Sequence, residues 1–168
     1  MMFPVEVEIQ NEAGYGIDVQ SLERAVQVTA QLQEVNDLSE LTIVITDDES
    51  VAALNRRFRG VDSPTDVLSF PGGDDDSMFA FEGEPRYLGD LVIAFPFASA
   101  QAAREGHDLN DSLSLLVVHG VLHLLGYDHD SAESRAEMWH EQEQALNALN
   151  ISPAIVPALE NSDHGQAE

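Results

Sequence analysis

The segment that decides the fold and the chemistry of this chain reads His119-Gly120-Val121-Leu122-His123-Leu124-Leu125-Gly126-Tyr127-Asp128-His129. Residues four apart lie above one another on one helix face, so His119 and His123 are predicted to point the same way from adjacent turns. Gly126 stands where a helix can end in the left-handed conformation, which would let the chain turn back and bring His129 to the same point. Three neutral imidazoles with one open position are the donor set of a catalytic zinc ion. The sequence therefore predicts one zinc ion at these histidines.

The helix that carries this pair is predicted to be buried. From Asp111 to Leu125 the chain is apolar almost all round, which is typical of a helix covered on most sides. The alternative interpretation is that the histidines are hydrogen-bonded core residues. Two imidazoles buried on one face need a shared reason, because burying a polar ring without a partner costs free energy. A metal supplies that reason, and Tyr127, Asp128 and Asp130 are candidates for orienting a ligand ring.

Hydrophobic periodicity predicts the elements around this helix. Strands are predicted at Val5–Ile9, Leu41–Ile45, Asp66–Phe70 and Leu88–Ala94. Further helices are predicted after an N-cap at Asp18, over Glu49–Phe58, from Pro96, and after the capping sequence Asp130-Ser131-Ala132-Glu133, with Ala136, Trp139, Leu146 and Leu149 of the last helix facing the core. The predicted fold class is α+β, with a small mixed β-sheet packed with helices, one of which is buried and carries the metal ligands.

The chain of 168 residues shows no internal repeat and no change of composition that would divide it. Residues 1–151 are therefore predicted to form a single metal-dependent hydrolase domain. Prolines and polar residues from Ser152 onward predict a loose acidic tail over residues 152–168. The acidic stretch from Gly72 to Arg86 predicts an exposed loop.

The charge of the chain is strongly negative. Its 31 Asp and Glu face seven cations, all of them arginine, and the net charge is −24. Such a surface repels free nucleic acid and anionic membranes at long range, and it fits either a salty cytoplasm or an acidic lineage without a salt requirement. We expect no membrane association and a cytoplasmic location, since neither a spanning segment nor a signal peptide is recognisable. With no cysteine, a metal site must use histidines and carboxylates.

The residue that follows the first histidine separates this site from the His-Glu-x-x-His metallopeptidases. In those enzymes the glutamate acts as general base, whereas this chain has Gly120 at that position. Zinc lowers the pKa of bound water to about 7, so hydrolysis of another substrate needs no carboxylate there. The sequence argues against ordinary peptide hydrolysis and leaves a metallopeptidase-like hydrolase as an alternative.

Three segments, in order and spacing, resemble the YbeY family of bacterial rRNA-maturation endoribonucleases, over roughly Leu41 to Leu149. The histidine segment is similar to the family signature, and Leu88-Gly89-Asp90-Leu91-Val92-Ile93-Ala94 is similar to a family strand. The family's central block resembles Leu54-Asn55-Arg56-Arg57-Phe58-Arg59-Gly60-Val61-Asp62-Ser63-Pro64-Thr65-Asp66-Val67-Leu68-Ser69-Phe70-Pro71.

The resemblance implies a single-strand-specific, zinc-dependent endoribonuclease that acts in 16S rRNA 3′-end maturation and ribosome quality control. It implies zinc ligation by His119, His123 and His129, and a catalytic role for Arg59. A guanidinium suits that role because it can bind two phosphate oxygens with parallel hydrogen bonds as negative charge develops. The alternative is that Arg59 only favours the dipole at a helix end.

The expected partner is RNA, namely rRNA of the small ribosomal subunit, reached directly or through a protein partner. DNA is not expected as a substrate. The nucleophile can be water or the RNA's own 2′-hydroxyl. The remaining alternative is a ribosome-assembly binding factor that the metal stabilises and that has no turnover, an interpretation that the acidic charge favours.

Overall fold

Five α-helices and a mixed sheet make up the described part of the chain. The structure is a computed structural model and describes residues 5–72, 85–155 and 165–166. The strands are β1 (Glu6–Gln10), β2 (Ser39–Thr46), β3 (Val67–Pro71), β4 (Arg86–Ala94) and the two-residue β5 (Gly165–Gln166). The helices are α1 (Val19–Leu32), α2 (Asp48–Arg59), α3 (Phe95–Glu105), α4 (Leu109–Leu124) and α5 (Ala132–Ala148), and a 3-10 helix (Pro153–Ile155) follows α5.

The sheet has the order β1-β2-β4-β3-β5 and mixes parallel with antiparallel pairs. β1 and β4 both run parallel to β2, whereas β3 runs antiparallel to β4 and parallel to β5. At the centre, Ile43 of β2 pairs with Ile9 on one side and with Leu91 on the other. The predicted α+β class with a small mixed sheet is confirmed, and the predicted strands agree with the observed ones within two residues at each end.

The two faces of the sheet pack against different helices, because successive strand side chains point to opposite sides. Ile43, Leu91 and Ile93 belong to the main core, which they share with α1, α4 and α5. Val92 points to the other face, where it packs in a second cluster with Val51 of α2. Helix α4 therefore lies on one face of the sheet and α2 lies on the other.

Helix α4 is the buried helix that the sequence predicts. Every residue from Leu113 to Leu124 is buried, and the N-cap of the helix is Asp108, whose carboxylate accepts from the backbone N–H of Asp111 at 3.1 Å. Helix α1 likewise begins after Asp18, which accepts from the N–H of Ser21. Each such cap stabilises the fold by about 1 kcal/mol.

Helix α5 buries most of the face that the sequence predicts, with Leu146 in the core and Trp139 and Leu149 packed against it. Ser131 is its N-cap and forms a capping box with Ser134. Its buried residues are Met138, Gln142, Ala145 and Leu146. Ala136, predicted to face the core, is exposed, because about 100° of rotation per residue places it on nearly the opposite side of α5 from the buried Met138.

Two other expectations fall mostly outside the described residues. The predicted acidic loop from Gly72 to Arg86 lies mostly outside the described residues, which omit 73–84. Of the predicted loose tail over residues 152–168, the structure describes only residues 152–155 and 165–166. The division into one domain and a tail stays a prediction. Within the described ranges, no helix has both the length and the apolar character to cross a bilayer.

Gly89 generates a stability prediction. Its φ is +139°, and a Cβ on it would lie 2.3 Å from the carbonyl oxygen of Phe70 on the neighbouring strand. Because strain and overpacking then act together, Gly89→Ala is expected to lower the free energy of unfolding by about 3 kcal/mol. Chemical denaturation measures this, with Gly16→Ala as the control, since a Cβ there meets nothing within 4 Å. Equal midpoints for the two variants would contradict the close strand approach.

Candidate metal centre

The first two histidines project from adjacent turns of α4 into one buried site. His119 and His123 are each 1% exposed. Their ring centroids are 4.6 Å apart, and the two Nε2 atoms are separated by 3.1 Å. The i, i+4 spacing therefore places both rings on one face, as the sequence predicts.

Hydrogen bonds on the far side of each ring settle which nitrogen carries the proton. Nδ1 of His119 is 2.5 Å from Oε1 of Gln142, a fully buried residue of α5. Nδ1 of His123 is 2.9 Å from the carbonyl oxygen of Tyr127. Both partners are acceptors, so each Nδ1 donates a proton and each Nε2 keeps its lone pair.

The facing Nε2 atoms fit a divalent cation. Two neutral rings with protons on Nδ1 have no proton to share between their Nε2 atoms, so at 3.1 Å their lone pairs repel. Burial lowers the pKa of His123 to about 4, and the neighbouring His129 acts in the same direction. Tetrahedral coordination with Zn–N bonds of roughly 2.0–2.1 Å sets neighbouring nitrogens about 3.3 Å apart. The observed separation is close to that value.

The third histidine reaches the site through the turn that follows α4. Gly126 has φ of +105°, its N–H donates to the carbonyl of His123 at 3.0 Å, and the N–H of Tyr127 donates to the carbonyl of Leu122 at 3.0 Å. One ligand atom from each of His119, His123 and His129 lies within 4.8 Å of the others. The predicted turn thus brings the three imidazoles together. We call these three residues the histidine cluster.

An indole ring closes one side of the histidine cluster. Trp139 of α5 meets the rings of His119 and His129 edge to face, with centroid distances of 5.9 and 5.6 Å. Apolar walls of this kind keep water from the ligand nitrogens and strengthen electrostatic interactions inside the site.

Gly120 faces away from the histidine cluster. A Cβ built on it would lie 2.6 Å from Cδ2 of Leu91 in β4. The position that carries the base in His-Glu-x-x-His peptidases is therefore pressed against the sheet and has no room for a carboxylate.

A cleft of about 750 Å³ opens beside the histidine cluster and includes the turn residues of 125–128. Four carboxylates line it, those of Glu34, Asp37, Asp128 and Glu137, together with one cation, Arg86. Arg86 is paired with Asp37 at 3.7 Å. The cleft is therefore acidic, and its lining repels a polyanion.

Comparisons with known proteins agree on one family. The family model described as "Endoribonuclease YbeY" matches residues 8–150. A relative named endoribonuclease YbeY from Roseiflexus sp. (strain RS-1) is 45% identical over 150 residues, which are 88% of this chain and 94% of the relative. Another of that name from Mycolicibacterium smegmatis is 40% identical, covering 84% of this chain and 82% of the relative.

The chain belongs to the YbeY family. The solution structure of TM1509 from Thermotoga maritima is similar in fold, with a TM-score of 0.54 and 23% identity, over 95% of this chain and 97% of that one. The YbeY resemblance inferred from the three sequence segments is confirmed.

The arginine that the YbeY resemblance singles out lies on a different element from the histidines. Arg59 is the last residue of α2, and its Nη1 donates to Oδ1 of Asn55, one turn earlier, at 3.1 Å. Gly60 ends the helix in the left-handed conformation. Helices α2 and α4 pack on opposite faces of the sheet. The catalytic role of Arg59 stays a prediction.

The residues that contact the histidine rings in this YbeY family member are mostly not the ones proposed from the sequence. Tyr127 acts through its carbonyl, while its hydroxyl donates to Gln33 at 2.8 Å. Asp128 accepts from the N–H of His129 at 2.7 Å, and Asp130 accepts from Ser134. Gln142 lies 23 residues beyond His119, and no local sequence signal links the two. The sequence could have indicated only that Gln142 is buried, because it lies four residues after Met138 on the same face of α5.

Gln142 generates a prediction about metal affinity. Loss of a partner that orients a ligand histidine typically weakens metal binding 10–100-fold. Gln142→Leu is therefore expected to raise the Kd for Zn²⁺ about 10–100-fold, whereas Gln142→Glu, which still accepts from Nδ1, is expected to restore tight binding. Competition with a zinc-sensitive dye measures both.

The matched control is Gln101→Leu, which replaces another buried glutamine, on α3. It is expected to leave the Kd unchanged. If Gln142→Leu and Gln101→Leu bind zinc equally well, Gln142 only fills space in the core.

Proposed function

We propose that this YbeY family member is a single-strand-specific, zinc-dependent endoribonuclease that acts in 16S rRNA 3′-end maturation and ribosome quality control in the cytoplasm. The observation that supports the proposal is the histidine cluster, in which two fixed Nε2 lone pairs face each other at 3.1 Å. Membership of a family named for endoribonuclease activity supports RNA as the substrate class.

In this proposal His119, His123 and His129 hold the zinc ion, and residues 1–151 form the hydrolase domain. When bound, zinc would supply a Lewis acid that polarises a phosphoryl oxygen and lowers the pKa of a water molecule. Gln142 and the Tyr127 carbonyl keep the protons of His119 and His123 on Nδ1. The lone pair of each Nε2 atom therefore stays available for a metal ion. Trp139 shields one side of the site from water.

The geometry at Gly120 supports phosphodiester cleavage over peptide hydrolysis. A metallopeptidase-like enzyme needs a base near its metal, and the position that supplies it elsewhere lies against Leu91 here. A tetrahedral site with three histidines leaves one position open for a phosphoryl oxygen or water.

The charge supports a second candidate function, a ribosome-assembly binding factor without turnover. At −24, with an acidic cleft beside the histidine cluster, the chain repels free RNA, and docking through a protein partner on the small subunit avoids that penalty. The metal would then serve only to hold α4, the following turn and α5 together.

One comparison separates these candidates. Wild type is expected to bind about one zinc per chain and to cleave single-stranded RNA, because its three donor nitrogens match a zinc site. His123→Ala removes one ligand and should lose both metal and cleavage. His140→Ala is the control, since His140 is an exposed histidine of α5 outside the histidine cluster. Elemental analysis and a labelled single-stranded RNA substrate provide the two measurements.

Each result of that comparison has one meaning. Wild type without bound metal would overturn the zinc assignment. Metal without RNA cleavage, together with a lower melting temperature for His123→Ala, would favour the binding factor. Casein cleavage by wild type, absent in His123→Ala, would favour the peptidase-like alternative.

Arg59 gives a separate prediction. If its guanidinium stabilises charge that develops on the phosphate, Arg59→Ala should lower kcat about 10²–10³-fold and change RNA affinity much less. Arg104→Ala is the control, because Arg104 also lies in the last turn of a helix that ends at a left-handed glycine, Gly106. Equal kcat values for the two variants would leave Arg59 with a helix-end role only.

A further inference from the structure

The structure places a second arginine, Arg135 of α5, next to the histidine cluster, with the ring of Trp139 between them. We propose that Arg135 of α5 binds a phosphate of the substrate strand beside the cluster. This inference rests on the proposed function, because it takes single-stranded RNA as the substrate.

Arg135 is joined to the histidine cluster by a single ring. Its Cζ lies 5.0 Å from the centroid of Trp139, one helical turn later on the same face of α5. The same indole ring meets His119 and His129 at 5.9 and 5.6 Å. A phosphodiester at the cluster therefore has a neighbouring nucleotide within the range of this long side chain.

The stacked arrangement suits phosphate binding. An arginine over an aromatic ring uses the face of its guanidinium, while its N–H donors lie in the plane of the group and point outward. Two of these donors can bind two oxygens of one phosphate in parallel. Arg135 is exposed to solvent, so a strand that approaches the cluster can reach it.

The surroundings make one well-placed cation important. The neighbouring cleft, which α5 helps to line through Ser134 and Glu137, carries four carboxylates, and its Arg86 is paired with Asp37. The remaining arginines lie on α1, α2 and α3. Arg135 is thus the arginine that an aromatic contact joins to the histidine cluster.

The test compares two arginines that have the same local contact. Arg57 also lies over an aromatic ring, 5.1 Å from the centroid of Phe58, but on α2 at the opposite face of the sheet. Arg135→Ala and Arg57→Ala each remove one positive charge and one stacked guanidinium. Arg135→Lys keeps the positive charge but removes the planar guanidinium with its parallel N–H donors.

Steady-state cleavage of single-stranded RNA by the zinc-loaded full chain is the measurement. Arg135→Ala is expected to raise KM about tenfold with kcat within twofold, because a phosphate contact remote from the bond cleaved contributes uniform binding. The slope of log kcat/KM against log salt should fall by about 0.7, the value for one phosphate of a single strand. Arg135→Lys should recover the salt slope and only part of the KM, while Arg57→Ala should match wild type.

A purely structural role for Arg135 would give a different pattern. Zinc content, melting temperature and the fluorescence of Trp139, the single tryptophan of the chain, report on the ring stack itself. A rate loss that follows zinc content or melting temperature, with an unchanged salt slope, would overturn the proposal. So would equal KM values for Arg135→Ala and Arg57→Ala with an active wild type, a result that leaves the proposed function intact. An inactive wild type would overturn both.

Discussion

Two hydrogen bonds on the outer sides of the His119 and His123 rings determine the arrangement of the candidate metal centre. Gln142 and the Tyr127 carbonyl accept the Nδ1 protons of His119 and His123, which leaves two lone pairs facing each other in a buried helix. Holding that arrangement without a cation costs free energy, so the surrounding structure must be stable enough to impose it. The burial of α4 between the sheet, α1 and α5 supplies that stability. The position of α5, its capping box and the turn at Gly126 all serve to bring the acceptors and the third ring to the right place.

Much of this fold could be predicted from sequence because its signals are local. Alternation along β1, the β-branched apolar run of β2, the aspartate caps of α1 and α4, and the apolar run of α4 each reflect preferences of residues that are close in sequence. The burial of α5 could be read only in part. Trp139, Leu146 and Leu149 pack as their spacing predicts, whereas Ala136 is apolar but exposed and Gln142 is polar but fully buried. Whether a polar side chain such as Gln142 is buried depends on the distant group that it faces, and that is a property of the whole fold.

The difference between local signals and long-range packing also explains which residues of the candidate metal centre could be predicted. The His119–His123 pair and Gly126 lie within one short segment, so spacing and turn chemistry were sufficient to predict their convergence. Of the partners of those rings, the Tyr127 carbonyl lies in the same segment, whereas Gln142 and Trp139 reach the rings only through the packing of α5. Arg59 was singled out by family resemblance, and its element proved to lie across the sheet from α4. Arg135 carried no sequence signal, because only the fold reveals that Trp139 separates it from the histidine cluster.

The negative charge of the chain sharpens the meaning of that arrangement. At physiological ionic strength the Debye length is about 8 Å, so most of the −24 is screened from a strand until it comes close. The distant carboxylates then mainly slow the encounter, while the groups within that distance decide where the strand can rest. Beside the histidine cluster those groups are the carboxylates of the acidic cleft, including Glu137 of α5, and the guanidinium of Arg135 on the same helix. In so acidic a protein, one cation next to the candidate metal centre has a large effect on where a phosphate of the proposed RNA substrate can rest.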